Sequence, residues 1–335
     1  MSRVDGSPEV TLRPMAAADR AEVDRFLRAQ FPPQAHQHRS GWLDWQLARP
    51  DGVRVLLCTS GADLVGLSVF LPVALNTAGG VRRGAFSTST MIAPTFRRRG
   101  IGRRIHEARL GAYDFALSGD QSAASRSLYR KMGFRALSRF RAILVNRRLP
   151  RPYPRKRFLR ELLAWTASLP LRAMPERGLR VAIEARPPER VAPELFEERM
   201  PAGTVTPMHT DAYLAWRYGA HPYFDYRFAH VARADGRRLG FGVFRLDGAT
   251  CHLVDVYCRH PDLADVLRCL GRRLPGTRIE GFFAPAPALA AGFRQAGWYT
   301  YRRGRCYFAA TLDDHLRAEL DRPWCAFGGD SDTDR

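Results

Sequence analysis

Residues 94–102 read PTFRRRGIG: three consecutive arginines run into two glycines that flank an isoleucine. The preceding stretch, VRRGAFSTSTMI (81–92), has strand composition, and IGRRIHEARL (101–110) reads as a helix stopping at Gly111, a suitable C-terminal cap. A strand, a loop and a helix start therefore follow one another directly. The first backbone N–H groups of a helix have no intrahelical partner, and their dipoles sum to a partial positive charge. Such a terminus binds phosphate. Gly100 and Gly102 lack a Cβ, so a phosphate can approach the backbone, and Arg97, Arg98 and Arg99 add charge-assisted contacts at the rim. The stretch is a mechanism for holding a pyrophosphate. It is neither the GxGxxG dinucleotide fingerprint nor a Walker loop, since no Gly-Lys-Ser/Thr follows.

Outward from this loop, EVTLRP (9–14), VRVLLCT (53–59) and LVGLSVFLPVAL (64–75) read as strands, with a turn at Ser60–Asp63. Residues 16–29 read as a helix with Val23, Phe26 and Leu27 on one face. DFALSG (114–119) is a further strand, and residues 122–132 a helix ending at Gly133. Strands alternating with helices around one sheet predict an α/β (α+β) fold, a mixed sheet flanked by helices.

The pattern occurs twice. WLDWQLARP from Trp42 is echoed by YLAWRYGAHP from Tyr213, LVGLSVF (Gly66, Phe70) by LGFGVF (Gly240, Phe244), and KMGF (Gly133, Phe134) by QAGW (Gly297, Trp298). Three landmarks in one order argue for two copies of one fold. Between them, RRLPRPYPRKRFLR (147–160) carries Pro150, Pro152 and Pro154, which interrupt regular structure. It leads into FLRELLAWTASLPLR, where Phe158, Leu159, Leu162, Leu163 and Trp165 fall at helical spacing up to Pro170. A basic helix of this kind suits either an anionic membrane surface or a connecting helix packed on its own protein; the shortness of the helix favours the second. The expected boundaries are a first domain over 1–146, a basic linker and connecting helix over 147–182, a second domain over 183–325 and an acidic tail over 326–335.

The net charge is +20, but only Lys131 and Lys156 are lysines and the arginines spread over the whole chain. A solvated basic surface fits this better than a nucleic-acid footprint. No apolar run reaches the roughly 20 residues of a membrane span, and MSRVDGSPEVTLRP has no signal-peptide core, which predicts a cytoplasmic protein. The six cysteines form no CxxC pair, so reduced thiols and no metal are expected.

MIAPTFRRRGIGRRI resembles the acetyl-CoA signature of the GCN5-related N-acetyltransferases (the GNAT superfamily), Arg/Gln-x-x-Gly-x-Gly/Ala, here on Arg97, Gly100 and Gly102. SAASRSLYRKMGF resembles the superfamily's second motif, with Tyr129 before Gly133 and Phe134; LRPMAAAD, with Arg13 and Asp19, fits its opening. Together these cover about residues 9–145. The resemblance implies two tandem acyl-CoA N-acyltransferase-like domains. It implies that the fourth and fifth strands splay and that Met91, Ile92 and Ala93 pair with the pantetheine arm, an N–H near Ile92 polarising the thioester carbonyl. It further implies that amides from Arg98 through Ile101 to Gly102 cradle the pyrophosphate, and that Tyr129 protonates the departing thiolate. Ser122 stands where the superfamily often has Asn near the cofactor arm. Many members also use a carboxylate on the fourth strand as base. GAFSTSTMI has none, which leaves Ser87, Ser89, His36, His38 and Asp120 as candidates and the base unassigned.

The second copy has VDVYCRHPDLADVL (254–267) at the equivalent place, without Gly-x-Gly and with Asp262 where a phosphate would sit, so it is not expected to bind CoA. His209, Asp255 and Glu280 are its chemistry-bearing residues, for which structural roles are the plainer reading. GGDSDTDR (Asp330, Asp332, Asp334) lacks the Gly and distal Glu of an EF-hand loop and reads as a disordered acidic tail. The expected activity is acetyl transfer from acetyl-CoA to a primary amine of a small molecule, by direct attack in a ternary complex. The alternatives are an aminoacyl-tRNA-dependent peptide-bridge-type transferase, to which the charge points, and a non-catalytic acyl-CoA sensor, to which the missing carboxylate points.

Overall fold

Arg13 and Asp19 lock the start of the chain. The Arg13 guanidinium donates to both Asp19 carboxylate oxygens at 2.6 and 2.8 Å, and the Ala16 N–H donates to the same carboxylate at 2.7 Å. The hydrogen bond from Arg13, then that from Ala16, holds the Asp19 carboxyl down at about 2. This turn joins β1 (Thr11–Pro14) to α1 (Arg20–Gln30). Residues 17–19 form a 3₁₀ turn rather than the helical start expected there: the Asp19 carboxylate accepts from the Ala16 N–H while the Asp19 N–H donates to Ala16 O at 3.1 Å.

The computed structural model describes residues 9–119, 123–148, 155–173, 178–284 and 286–327. After α1 come α2 (Trp42–Leu47), β2 (Arg54–Ser60), β3 (Asp63–Thr77), β4 (Gly80–Ile92), α3 (Ile101–Leu110), β5 (Phe115–Ser118), α4 (Ala123–Lys131) and β6 (Arg135–Asn146). α5 (Arg155–Ala167) and α6 (Leu169–Ala173) follow, then β7 (Leu179–Glu184), α7 (Glu194–Glu197), β8 (Thr206–Met208), α8 (Asp211–Leu214), β9 (Tyr226–Arg233) and β10 (Arg238–Asp247). The last elements are β11 (Thr250–Cys258), α9 (Leu263–Arg273), β12 (Arg278–Phe283), α10 (Pro287–Gln295), β13 (Tyr299–Ala310) and α11 (Asp314–Leu320). Pro170 does not end the connecting helix outright. The chain breaks at Ser168 and resumes, with the proline in the first turn of α6, where its missing N–H costs nothing.

The chain forms two compact units, each drawing on both halves of the sequence. The first comprises residues up to Val73, Arg83–Arg135 and Phe308–Asp314. Its sheet runs β1-β2-β3-β4-β5 and ends on the last residues of β13. β1, β2 and β3 are antiparallel, β4 and β5 are parallel, and Phe308–Ala310 lies antiparallel to β5. Ile101 and Ile105 of α3 pack onto this sheet with Val10, Leu56, Cys58, Val65, Phe70 and Ala85.

The second unit comprises Ala74–Arg82, Ala136–Tyr307 and His315 onward. Its sheet runs β6-β12-β11-β10-β9-β7, with β13 beside β6 and β8 on the tip of β3. β11 and β12 are its parallel pair, and β6 is antiparallel to β12. Leu263, Val266, Leu267 and Leu270 of α9 and Leu289 and Phe293 of α10 fill its core. Each unit thus has a parallel pair followed by an antiparallel strand from the other half of the sequence. This is the mixed sheet flanked by helices expected from the alternation, in two copies.

His106 of α3 lies buried in the first unit, its ring 4.7 Å from that of Tyr129 and 6.0 Å from that of Phe134. Burial, then the nearby Arg109 cation, lowers its pKa to about 3. Below the ordinary value of 6.5 the unfolded chain takes up this proton and the folded chain does not, so stability falls with pH until about 3. The slope from one such group is about 1.4 kcal/mol per pH unit. Denaturant unfolding at pH 7 and pH 5 should show this loss in the parent, and His106→Phe should shrink it.

Candidate functional site

The hydrogen-bonded register between β4 and β5 runs from Gly84↔Phe115 to Ser87↔Ser118 and stops there, although β4 continues to Ile92. The two strands fork beyond Ser87. Ser89, just past the last pair, has φ +50° in the left-handed region, and this local kink turns the end of β4 away. Ser68 Oγ lies 3.1 Å from Ser87 Oγ and 2.6 Å from Thr90 Oγ1, and Ser87 Oγ is 2.8 Å from Thr90 Oγ1. This closed triangle of hydroxyls sits at the fork. Ser89 Oγ is buried there with no hydrogen-bond partner among the described residues.

Of the three residues at the end of β4, two face β3. The Ala93 N–H donates to Val65 O at 2.8 Å, and Met91 O lies against Gly66, where a Cβ would come within 3.0 Å of it. By strand alternation the Ile92 peptide groups face the fork. Ile92 O accepts from Arg97 Nε at 3.0 Å, which folds the Arg97 side chain back over the strand end.

After a 3₁₀ turn at Pro94–Phe96, the four residues Arg97–Gly100 lead into α3. Arg98 and Gly100 both have positive φ, +66° and +74°. Alternation of this kind turns successive N–H groups toward one side, forming an anion nest. Among the described residues no group accepts from the N–H of Arg98, Arg99 or Gly100. The Arg99 guanidinium rests over the Phe96 ring at 4.9 Å.

The two glycines differ. A Cβ on Gly100 would meet nothing within 4 Å, so this position faces open space. A Cβ on Gly102 would lie 3.2 Å from Leu128 Cδ2 of α4 and 3.7 Å from Ile92 Cδ1. At Gly102 the absence of a Cβ also allows α3 to pack closely on α4.

Tyr129 of α4 reaches the fork from below. Its hydroxyl accepts from Ser118 Oγ at 2.9 Å, and Ser118 ends β5 at the last paired position. The ring packs on Phe134 at 4.6 Å. Arg109, fully buried, donates Nη1 to Leu117 O at 3.0 Å, and its charge lies near Tyr129. Burial lowers its pKa, against the opposing pull of Tyr129. Sequence reading missed Arg109; its one signal was an arginine on the helix face of Ile101 and Ile105.

Ser122 and Asp120 lie outside the described residues, as does the tail after Phe327. His36 and His38 serve the loop after α1: His38 Nε2 bonds Phe31 O at 2.9 Å and the His36 ring packs on Trp42 at 5.0 Å. Among the described residues no group of three or more His, Cys, Asp or Glu could hold a metal, and no helix is long and apolar enough to cross a membrane. The cysteines Cys58, Cys251, Cys258, Cys269 and Cys325 are free and buried.

The second unit repeats the frame without the contents. Gly133 and Gly297 both have φ +77°, and each precedes an N–H that bonds five residues back, Phe134 to Tyr129 O and Trp298 to Phe293 O, both at 2.9 Å. Phe293 therefore stands where Tyr129 stands. The 3₁₀ turn at His260–Asp262 runs straight into α9, with none of the four loop residues that precede α3. The gap beyond the last β11/β12 pair, His252↔Glu280, is filled by the chain itself. Ala284 N–H bonds Ala326 O at 2.8 Å and Phe327 bridges Phe283. Buried Arg199 donates Nη2 to Val256 O at 2.7 Å and to Asp255 at 2.6 Å. His209 joins this cluster through Tyr257, at 2.6 Å, whereas Glu280 lies apart with Arg278 and His252.

No protein-family model matches the chain, and no curated protein matches it. Solved structures do. A GCN5-related N-acetyltransferase from Kribbella flavida aligns with TM-score 0.61 at 14% identity, over 91% of this chain and 71% of its own. A probable N-acyltransferase from Enterococcus faecalis V583 aligns with TM-score 0.60 at 12% identity, over 91% and 73%. The tandem GNAT protein from the clavulanic acid biosynthesis pathway aligns with TM-score 0.51 at 16% identity, over 90% and 98%. At such identities the likeness is one of fold. The forked parallel pair, the loop-to-helix turn behind it and its repetition in the second unit agree with that likeness: the chain is a tandem protein of the GCN5-related N-acetyltransferase fold.

Proposed function

We propose that the first unit is an acyl-CoA-dependent N-acyltransferase, moving an acetyl group from acetyl-CoA to a primary amine of a small molecule. The observation that carries this is the presence, around one fork, of three free N–H groups on the Arg98–Gly100 loop, the strand end at Ile92 and the Tyr129 hydroxyl. The loop suits a pyrophosphate: its N–H groups lack partners, the helix dipole points at it, and Arg98 and Arg99 stand beside it. Acetyl-CoA supplies the activated thioester. The Ile92 N–H is placed to polarise its carbonyl, and Tyr129 to give a proton to the departing sulfur. Ser118 donates to the Tyr129 oxygen and the Arg109 cation lies near it, which stabilises the charge that oxygen gains on losing its proton.

An amine near pKa 10 must also shed a proton. β4 offers hydroxyls where many proteins of this fold carry a carboxylate. The Ser68–Ser87–Thr90 triangle stands at that place, and the base stays unassigned. The same lack of a carboxylate favours a second reading, an acyl-CoA sensor without turnover. Thiol release from acetyl-CoA across a panel of amines separates the two: binding without release on any amine supports the sensor. The peptide-bridge alternative rests on the tandem arrangement and the net charge, and needs no phosphate cradle.

Gly100→Glu places a carboxylate in the cradle and a side chain in the left-handed region, and should weaken CoA binding by at least about thirtyfold in calorimetry. Gly100→Asn keeps the left-handed turn without charge and should stay within about threefold of the parent. Equal binding by Gly100→Glu and the parent would remove the cradle assignment.

Tyr129→Phe should lower kcat by about a hundredfold with little change in the KM for acetyl-CoA. The lost acceptor for Ser118 should also cost about 1–3 kcal/mol of stability, read by denaturant unfolding.

A further inference from the structure

Helix α5 shows leucines to solvent. Its inward stripe is Glu161, Ala164 and Ser168, continued by Leu171 in α6, and all four are buried. Glu161 is held there by Arg278 and by Asn146 Nδ2 at 3.2 Å. The outward stripe is Leu159 and Leu163, one turn apart, exposed to 56% and 41%, and Leu169 at the start of α6, exposed to 40%. A helix that merely packs on its own protein shows polar residues on that side. A connecting role explains the inward stripe and leaves the leucines unexplained.

The surroundings extend this surface. Ala167, Pro170 and Leu171 form one wall of an apolar groove of about 480 Å³ whose other wall is Arg294–Thr300. The Tyr299 and Tyr301 rings stack at 6.0 Å, and the Arg160 guanidinium lies over Tyr301 at 5.0 Å. Residues 147–160, which lead into this stripe, contain six arginines, one lysine and no Asp or Glu. Exposed leucines flanked by arginines and tyrosines match a bilayer interface: leucines reach below the headgroups, arginines extend to the phosphates, and tyrosines sit between. Charge alone would serve an acidic protein partner, which gives the outward leucines no role.

We propose that α5, α6 and the adjoining start of β13 form a docking surface for an anionic bilayer, with Leu159, Leu163 and Leu169 entering the acyl region and Arg160, with the arginine-rich sequence that precedes it, supplying positive charge toward lipid phosphates. Docking leaves the acyltransferase reading untouched, and its readout is independent of acyl transfer.

The test is flotation of the full chain with vesicles of phosphatidylcholine alone, or of phosphatidylcholine and phosphatidylglycerol in equal parts. The chain should float with the mixed vesicles only, and less as salt is added. Leu159→Asn with Leu163→Asn keeps every charge and should reduce binding by at least about tenfold. Leu169→Asn, outside α5, should reduce it by a smaller factor and serves where the double variant folds poorly. Three results would overturn the proposal. One is no flotation with mixed vesicles at low salt. Another is equal flotation of parent and folded variants. The third is a dimer in sedimentation that the same leucine substitutions dissolve, which assigns the stripe to contact between copies.

Discussion

The pairing between β4 and β5 ends at Ser87↔Ser118, and the candidate site exists because it ends there. Had the ladder continued, the Ile92 peptide would bond β5 and no gap would open. The left-handed kink at Ser89 turns the end of β4 aside, and β5 itself ends at Ser118. Three separate elements contribute to the proposed site. The strand end brings Ile92, the loop before α3 brings its unpaired amides, and α4 brings the Tyr129 hydroxyl through Ser118. None of these groups is unusual alone. Their convergence depends on one short parallel ladder.

The far side of each parallel pair is closed by a strand from the other half of the chain, β13 beside β5 and β6 beside β12. An open β5 or β12 would expose a row of unpaired N–H and C=O groups, a template for unwanted pairing. Exchange covers both edges, and it makes each unit incomplete without residues from the other half. Contacts between Ala116 and Ala310, far apart in sequence, must form for the first sheet to close. Such non-local pairing slows folding relative to a helical protein of similar size.

The second unit shows what the same frame becomes when its gap is filled. Arg199 and the segment ending at Phe327 take up the space beyond the β11/β12 ladder. A buried Arg199–Asp255 pair would be costly without further partners, but Val256 N–H, Tyr257 and Tyr218 complete the Asp255 carboxylate at 2.9, 2.7 and 3.2 Å. Burial, then the Asp255 charge, pushes the Tyr218 hydroxyl's pKa well up, so it stays a donor to that carboxylate. Asp262, expected to repel a phosphate, is neutralised by Arg259 at 2.9 Å. The stronger obstacles to a cofactor are the missing loop and the occupied gap.

Much of this was legible in the residues themselves. The strand–loop–helix turn at PTFRRRGIG, the extent of α3 from Ile101 to Leu110, the repeat of Gly133 in Gly297 and the Arg13–Asp19 opening are local patterns, written by backbone preference and short-range hydrogen bonds. Other features involve residues hundreds of positions apart, or a choice among neighbours. The strand exchange, the chain segment in the second gap, the buried Arg109 behind Tyr129 and the outward leucines of α5 are of this kind. Gly102 is the sharpest example: its lack of a side chain was visible at once, but only the position of Leu128 shows how closely α4 packs there. Local sequence sets which shapes each segment can take. Which groups those shapes leave unpaired, buried or exposed is decided by what packs against them.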